Sequence, residues 1–266
     1  ISMWVSSEPV TSAQQTVTLI DNSYSKKQWR LSLIHSEQKL TTDVQFCLGE
    51  KDGKYWDTIW SPNVSIDPLT WTHIAVVWDS VADKSLGMYK NGILVAEHTI
   101  SKPLELYPGG NGDLLLLGAS SRGSSGDDGN RNSITSLENH GRLKYHHHYI
   151  GSLDELQIWH VARSKHDLEG TRAYHRRSKQ KATGIAGLWH MDEGIGLNSL
   201  NEIDGWYGLM RFVGNSTFGG DKVEAGKLSL HPKWIVSDAR VGDQVEQLED
   251  IDTLVSLNAT DSIIDR

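Results

Sequence analysis

The dipeptide Asn91-Gly92 constrains the fold more than any other feature of the chain. It stands between Ser85-Leu86-Gly87-Met88-Tyr89-Lys90 and Ile93-Leu94-Val95-Ala96, two β-prone runs. A two-residue type I′ turn needs positive φ at both central positions, which Asn and Gly tolerate best, so residues 85–96 read as an antiparallel hairpin. Just upstream, in Trp71-Thr72-His73-Ile74-Ala75-Val76-Val77-Trp78-Asp79, alternation puts Thr72, Ile74, Val76 and Trp78 on one face and His73, Ala75 and Val77 on the other. Both faces are largely apolar, which places this strand inside a sheet rather than at its edge. Other strand-sized runs are Ile1 to Val5, Gln15 to Ile20, Trp29 to His35, Val44 to Leu48, Leu114 to Leu117 and Ser152 to Trp159. Turn-forming clusters such as Asp21-Asn22-Ser23, Lys51-Asp52-Gly53 and Pro108-Gly109-Gly110 separate them. Strands and turns at this spacing predict an all-β sandwich or barrel.

Cys47 is the sole cysteine, so no disulfide within the chain supports that sandwich. Lying in Val44-Gln45-Phe46-Cys47-Leu48, it reads as a small buried hydrophobe. No apolar run approaches the ~18 residues of a membrane span, and a formal charge of −8 disfavours a phosphate-tracking surface. Membrane insertion and nucleic-acid binding are therefore not expected. The start at Ile1, without Met, suggests a fragment or a processed chain.

Composition shifts divide the sequence. Ser120 to His148 is rich in Gly, Ser, Asp, Asn and His without apolar periodicity, a long loop of the kind that carries function or disorder. Ser164 to Arg176 predicts one short helix, with Ser164 as N-cap, Asp167 as the capping carboxylate three residues on, and Leu168 facing the sandwich. The expected organisation is a sandwich over 1–177, a linker over 178–183, a small β extension or the start of a second similar unit over 184–241, and an acidic tail over 242–266. Within the extension, Gly184 to Gly196, Trp206 to Val213 and Lys233 to Val236 each contribute a strand.

The ordered set Ile1-Ser2-Met3-Trp4-Val5, Trp71-Thr72-His73-Ile74-Ala75-Val76-Val77, Met88-Tyr89-Lys90-Asn91-Gly92 and Tyr149-Ile150-Gly151-Ser152-Leu153-Asp154-Glu155-Leu156-Gln157-Ile158-Trp159 resembles the laminin-G-like jelly-roll family, within the concanavalin-A-like fold. The resemblance covers roughly residues 1–177. It implies an antiparallel jelly-roll sandwich of two sheets, with a concave face or rim loops that bind ligand, often glycan. Gly187-Leu188-Trp189-His190-Met191-Asp192-Glu193-Gly194 looks like the opening strand of another such domain. No second Trp-x-His strand or Asn-Gly hairpin follows it, so residues after Gly184 either begin a new unit or fold back to complete the first.

The chain reads as a non-catalytic recognition or adhesion module of a larger secreted or cell-surface protein, with a glycan or a protein surface as partner. A structural spacer is the alternative, and a glycoside hydrolase or lyase the more distant one. A retaining glycosidase needs two carboxyl groups about 5–5.5 Å apart, yet the acidic pair carried on a strand, Asp154-Glu155, is adjacent and by strict alternation points to opposite faces. Those two carboxylates read either as turn-end hydrogen-bond acceptors or as oxygen ligands of a structural Ca²⁺, joined by Asp127 and Asp128 of the long loop. The calcium reading draws partly on the resemblance. His146-His147-His148 offers at most two imidazoles on one side. Among ten Trp, Trp4, Trp71, Trp78 and Trp159 sit in strands and read as core, whereas Tyr55, Trp56 and Trp60 lie in a turn-flanked segment. There, their aromatic faces are the expected ligand contacts.

Overall fold

A computed structural model describes residues 1–9, 16–22, 28–35, 41–49, 52, 54–79, 85–100, 115–121, 145–147, 149–172, 183–191, 198–203, 205–211, 217–218 and 221–222. The strands are β1 (Ser2–Ser7), β2 (Thr16–Asn22), β3 (Trp29–His35), β4 (Thr42–Gly49), β5 (Trp56–Trp60), β6 (Ser65–Ile66), β7 (Thr72–Asp79), β8 (Ser85–Lys90) and β9 (Ile93–Thr99). They continue with β10 (Leu116–Leu117), β11 (Ser120–Ser121), β12 (Tyr145–His146), β13 (Gly151–Trp159), β14 (Ile185–Trp189), β15 (Asn198–Asn201), β16 (Gly205–Arg211), β17 (Thr217–Phe218) and β18 (Asp221–Lys222). The helix α1 spans Lys165–Arg172.

Two antiparallel sheets form the sandwich. Sheet A runs β14-β13-β1-β7-β8-β9, and sheet B runs β10-β2-β3-β4-β5 with β6 also paired to β4. The expected hairpin is present: Lys90 pairs with Ile93, and Asn91 and Gly92 take φ of 52° and 78°. Strand β7 lies between β1 and β8, and its two faces divide as alternation requires. Ile74 and Val76 enter the main core, whereas Ala75 belongs to a second cluster on the opposite side of the sheet.

The core between the sheets gathers Met3, Val5, Val17, Leu19, Ile20, Leu31, Leu33, Val44, Phe46, Leu48, Ile74, Val76, Leu86, Met88 and Leu156. Each fully buried aliphatic side chain of this kind contributes about 1.5–3 kcal/mol relative to exposure. The second cluster, Ala75, Tyr89 and Leu168 with Val77 and Leu94 against it, is the seat of α1 on the outer face of sheet A. The helix begins as its sequence dictates: Ser164 Oγ accepts from the Asp167 amide at 3.2 Å, and Asp167 Oδ2 accepts from the Ser164 amide and hydroxyl.

Strand β14 pairs antiparallel with β13, so residues 185–189 are part of sheet A. Trp189 joins the main core there. Gly187 is required beside it, because a Cβ at that position would lie 2.4 Å from the Trp189 ring. The free side of β14 is met by residues 201–203: Asn201 Oδ1 accepts from the amides of Leu188 and Ile203, and the Glu202 amide donates to Leu188 C=O. The expected strand at residues 206–213 is observed as β16, paired with β15. The strand expected at 233–236, the linker at 178–182 and the tail over 242–266 lie outside the described residues.

Candidate functional site

The outer face of sheet B carries a run of polar side chains, whereas that of sheet A has an apolar patch under α1. Register fixes its rows. Since Leu31, Leu33, Val44, Phe46 and Leu48 point into the core, their neighbours Arg30, Ser32, Gln45 and Cys47 point away from it. One row across the strands is Asp21, Arg30, Cys47 and Ile59, and the next is Thr18, Ser32 and Gln45. A register shift near Gly49 brings Trp56 to the same side, where the Arg30 guanidinium sits 5.0 Å from the centre of its ring. This cation–π contact also holds the guanidinium in one orientation.

Thr18, Asp21 and Ser32 are fully buried, at 0% exposure, while Arg30 and Gln45 are half-buried. The charges on the row act on Cys47 with opposite sign. Burial pushes its thiol up, the Arg30 guanidinium opposes that shift and Asp21 adds to it. The hydroxyls of Thr18 and Ser32 and the Nε of Arg30 are buried without a hydrogen-bond partner among the described residues. A buried polar group left in that state costs about 1–3 kcal/mol. Gln45 is held differently, its Nε2 donating to Ser61 Oγ at 3.0 Å.

Of the three aromatic contacts expected from the sequence, the structure separates one from the other two. Tyr55 is 68% exposed, and half-buried Trp56 lies on the polar face beside Arg30. Trp60 is corrected: at 9% exposure it belongs to the main core and stacks on His98 of β9 with ring centres 5.9 Å apart. Alternation along β5 accounts for this, since Trp60 pairs with inward-pointing Phe46. Trp4 is buried on the far side of sheet A, edge-on to His73. Arg30, Ser32 and Thr18 went unnoticed in the sequence. Their signal was polar residues alternating with core aliphatics in Thr16–Asn22 and Trp29–His35.

Asp154 and Glu155 are also placed differently than alternation suggests. Glu155 has φ of 50°, and the register with β1 shifts there, with Ser2 opposite Gln157 but Trp4 opposite Asp154. Leu153 and Leu156 both reach the core, and the bulge takes up the two carboxylates between them. Both are buried. Asp154 Oδ1 accepts from the Glu155 amide at 2.9 Å, and Glu155 Oε1 lies 2.7 Å from Nδ1 of buried His190. The other imidazole nitrogen faces Glu202 Oε2 at 3.4 Å.

This arrangement ties β13 to β14 and to the turn at 201–203. In it, Glu155 Oε1 is engaged by an imidazole and Asp154 Oδ1 by a backbone amide. Among the described residues, no group of three or more His, Cys, Asp or Glu side chains is arranged to hold a metal. Asp127 and Asp128 lie outside the described residues. So does most of the Ser120 to His148 loop, whose ends are seen as the β11–β12 pair. Just beyond β12, His147 C=O accepts from the Thr18 amide at 2.7 Å, so that pair ends alongside β2. No helix among the described residues is long and apolar enough to cross a membrane.

No curated protein matches this chain. Among solved structures it is similar to a protein of Bacteroides ovatus provisionally described as carbohydrate binding (13% identity, TM-score 0.49), over 75% of this chain and 48% of that one. The chain thus spans about half the length of that protein. It is also similar to the CBM40 of a Ruminococcus gnavus IT-sialidase bound to α2,3 sialyllactose (15% identity, TM-score 0.44), over 64% of this chain and 80% of the other. A third likeness is to the heptameric SAP-like pentraxin of Limulus polyphemus (16% identity, TM-score 0.42), over 67% and 69%. A profile of the concanavalin A-like lectin/glucanases superfamily matches residues 1–169, the stretch that contains both faces of the sandwich and the hairpin at Asn91-Gly92, and the chain belongs to that superfamily.

Proposed function

We propose that the chain is a non-catalytic glycan-recognition module of a larger secreted or cell-surface protein, with its ligand on the outer face of sheet B. The carrying observation is the pairing of an Arg30-stacked Trp56 with two adjacent polar rows on a face that the core does not need. Sugar rings offer apolar faces for stacking and hydroxyls for hydrogen bonding, and this face supplies partners for both. Exposed Tyr55 stands just before β5 and adds a second aromatic surface at that edge. Membership of a superfamily that holds both lectins and glucanases supports a carbohydrate ligand and leaves catalysis to be decided by the site itself.

Glycoside hydrolysis requires two carboxyl groups flanking one bond. The described carboxylates on this face include Asp21, directly opposite Arg30, Asp43, which accepts from the Ser65 hydroxyl at 2.6 Å, and exposed Asp57, which accepts from the Thr58 hydroxyl at 3.0 Å. They stand on β2, β4 and β5 in different rows of the ladder, which supports binding without turnover. A glycan array followed by titration tests the reading. Trp56→Ala and Tyr55→Ala are expected to weaken binding with little change in melting temperature. Release of sugar from a bound glycan, abolished by removing one carboxylate, would overturn the non-catalytic half of the proposal.

A further inference from the structure

We propose that the exposed edge of sheet B formed by Tyr55, Trp56 and Ile59 is a subsite for an uncharged sugar unit, and that the Asp57 carboxylate beside it discriminates against acidic sugars. The inference rests on the glycan-recognition reading above and adds the class of ligand. Its first support is access. Tyr55 is 68% and Ile59 61% exposed, and half-buried Trp56 between them keeps part of its surface open to solvent. Ile59 pairs with outward-pointing Cys47, so it stands on the same face as Trp56 and Arg30. A lone exposed aliphatic residue is ordinary on a protein surface, but here three large apolar side chains share one short stretch of edge strand. A pyranose presents a flat face of C–H groups to such a strip and keeps its hydroxyls for the polar side chains around it.

The second support is charge. Arg30 is faced across the ladder by Asp21, and the two act on Cys47 with opposite sign. Lys54 is likewise met by Asp52, whose Oδ2 lies 3.5 Å from its Nζ. Each of these cations is thus balanced by a carboxylate of its own. Asp57 is different. It is exposed, it follows Trp56 directly in β5, and its Oδ2 accepts from the neutral Thr58 hydroxyl, with no cation at ion-pair distance among the described residues. A carboxylated or sulfated sugar laid on the strip would bring a second negative charge beside this one, whereas a neutral sugar meets a hydrogen-bond acceptor. The repulsion acts through solvent, so it is modest and sensitive to salt.

The test uses the whole chain, a panel of neutral and acidic glycans titrated at low and high salt, and the variants Asp57→Asn and Ile59→Ser. Both positions are exposed, so neither substitution is expected to disturb the fold. The parent should favour neutral glycans, and Ile59→Ser should weaken them about threefold through lost apolar contact. Asp57→Asn should raise the ratio of acidic to neutral affinity about threefold at low salt, the scale of one exposed charge interaction. That gain should fade at high salt. An unmoved ratio in Asp57→Asn, or a parent that favours acidic glycans, overturns the ligand class while leaving glycan recognition standing. Neutral binding by Ile59→Ser equal to that of the parent overturns the assignment of the strip as the subsite. If no glycan of either kind binds, the underlying reading fails and this inference fails with it.

Discussion

The two outer faces of the sandwich are finished in opposite ways. On sheet A, Ala75, Tyr89 and Leu94 are sealed by Leu168 of α1, an apolar closure begun by a reciprocal Ser164–Asp167 cap. The edge of that sheet is closed too, by Asn201 and Glu202 against β14 and by the Glu155–His190 pair. On sheet B, the equivalent face holds Thr18, Asp21, Arg30, Ser32, Gln45 and Trp56, with hydroxyls unpartnered among the described residues. The buried Ser2 hydroxyl of sheet A is unpartnered among the described residues too, so the contrast lies in the helix that covers part of sheet A and has no described counterpart on sheet B. Under the proposed function, sheet A serves structure and sheet B recognition.

Breaking the closure of sheet A is expected to have the largest effect. His190→Ala leaves the Glu155 carboxylate buried without its imidazole, and loss of one partner of such a pair typically costs about 3–5 kcal/mol. Denaturant titration should show it as a fall in the midpoint; an unchanged midpoint would mean that the pair does not hold β14 in place. Leu168→Ala removes the side chain that seals the outer cluster and is expected to cost about 2–3 kcal/mol, with glycan binding unaffected. A binding defect in that variant would blur the division between the faces. On sheet B the order reverses. Trp56→Ala is expected to reduce affinity about tenfold through lost stacking, with a change in stability under about 1 kcal/mol.

The helix cap sharpens the same contrast through pH. The Ser164 hydroxyl and amide, chiefly the hydroxyl, hold the Asp167 carboxyl below its ordinary value, with Arg163 adding to this. A lowered carboxylate stabilises the native state above its unfolded pKa, and that contribution disappears as pH falls through the folded value. Asp167→Asn should therefore cost about 1 kcal/mol or less at neutral pH and progressively less as the solution is acidified below about pH 4. Equal losses at pH 3 and pH 7 would remove Asp167 from the closure of sheet A. Calcium is expected to do least. With Glu155 committed to His190, melting curves in EDTA and in millimolar Ca²⁺ should superimpose, and a clear rise with calcium would return Asp154, Asp127 and Asp128 to consideration as ligands.

Much of the fold could be read from local chemistry. Asn91-Gly92 encodes its own turn, Thr72–Asp79 displays both faces in its alternation, and Ser164 and Asp167 mark a helix start three residues apart. These signals are short-range. What escaped the sequence depends on register. Trp60 looked like part of an aromatic surface until pairing with Phe46 turned it inward, and Asp154 and Glu155 looked opposed until a bulge at positive φ brought both under cover. The polar face of sheet B was hardest to see, because Thr18, Arg30, Ser32 and Gln45 come from three strands and become neighbours only when the ladder aligns them.

The most direct test of the division between the faces is a residue-resolved map of ligand contact by amide chemical shifts during titration with a glycan that binds. The expected result is a set of perturbations centred on Thr18, Arg30, Ser32, Gln45 and Trp56, with Ala75, Tyr89 and Leu168 unmoved. Perturbations centred on the helix-covered face of sheet A, with the β2–β5 rows silent, would contradict it.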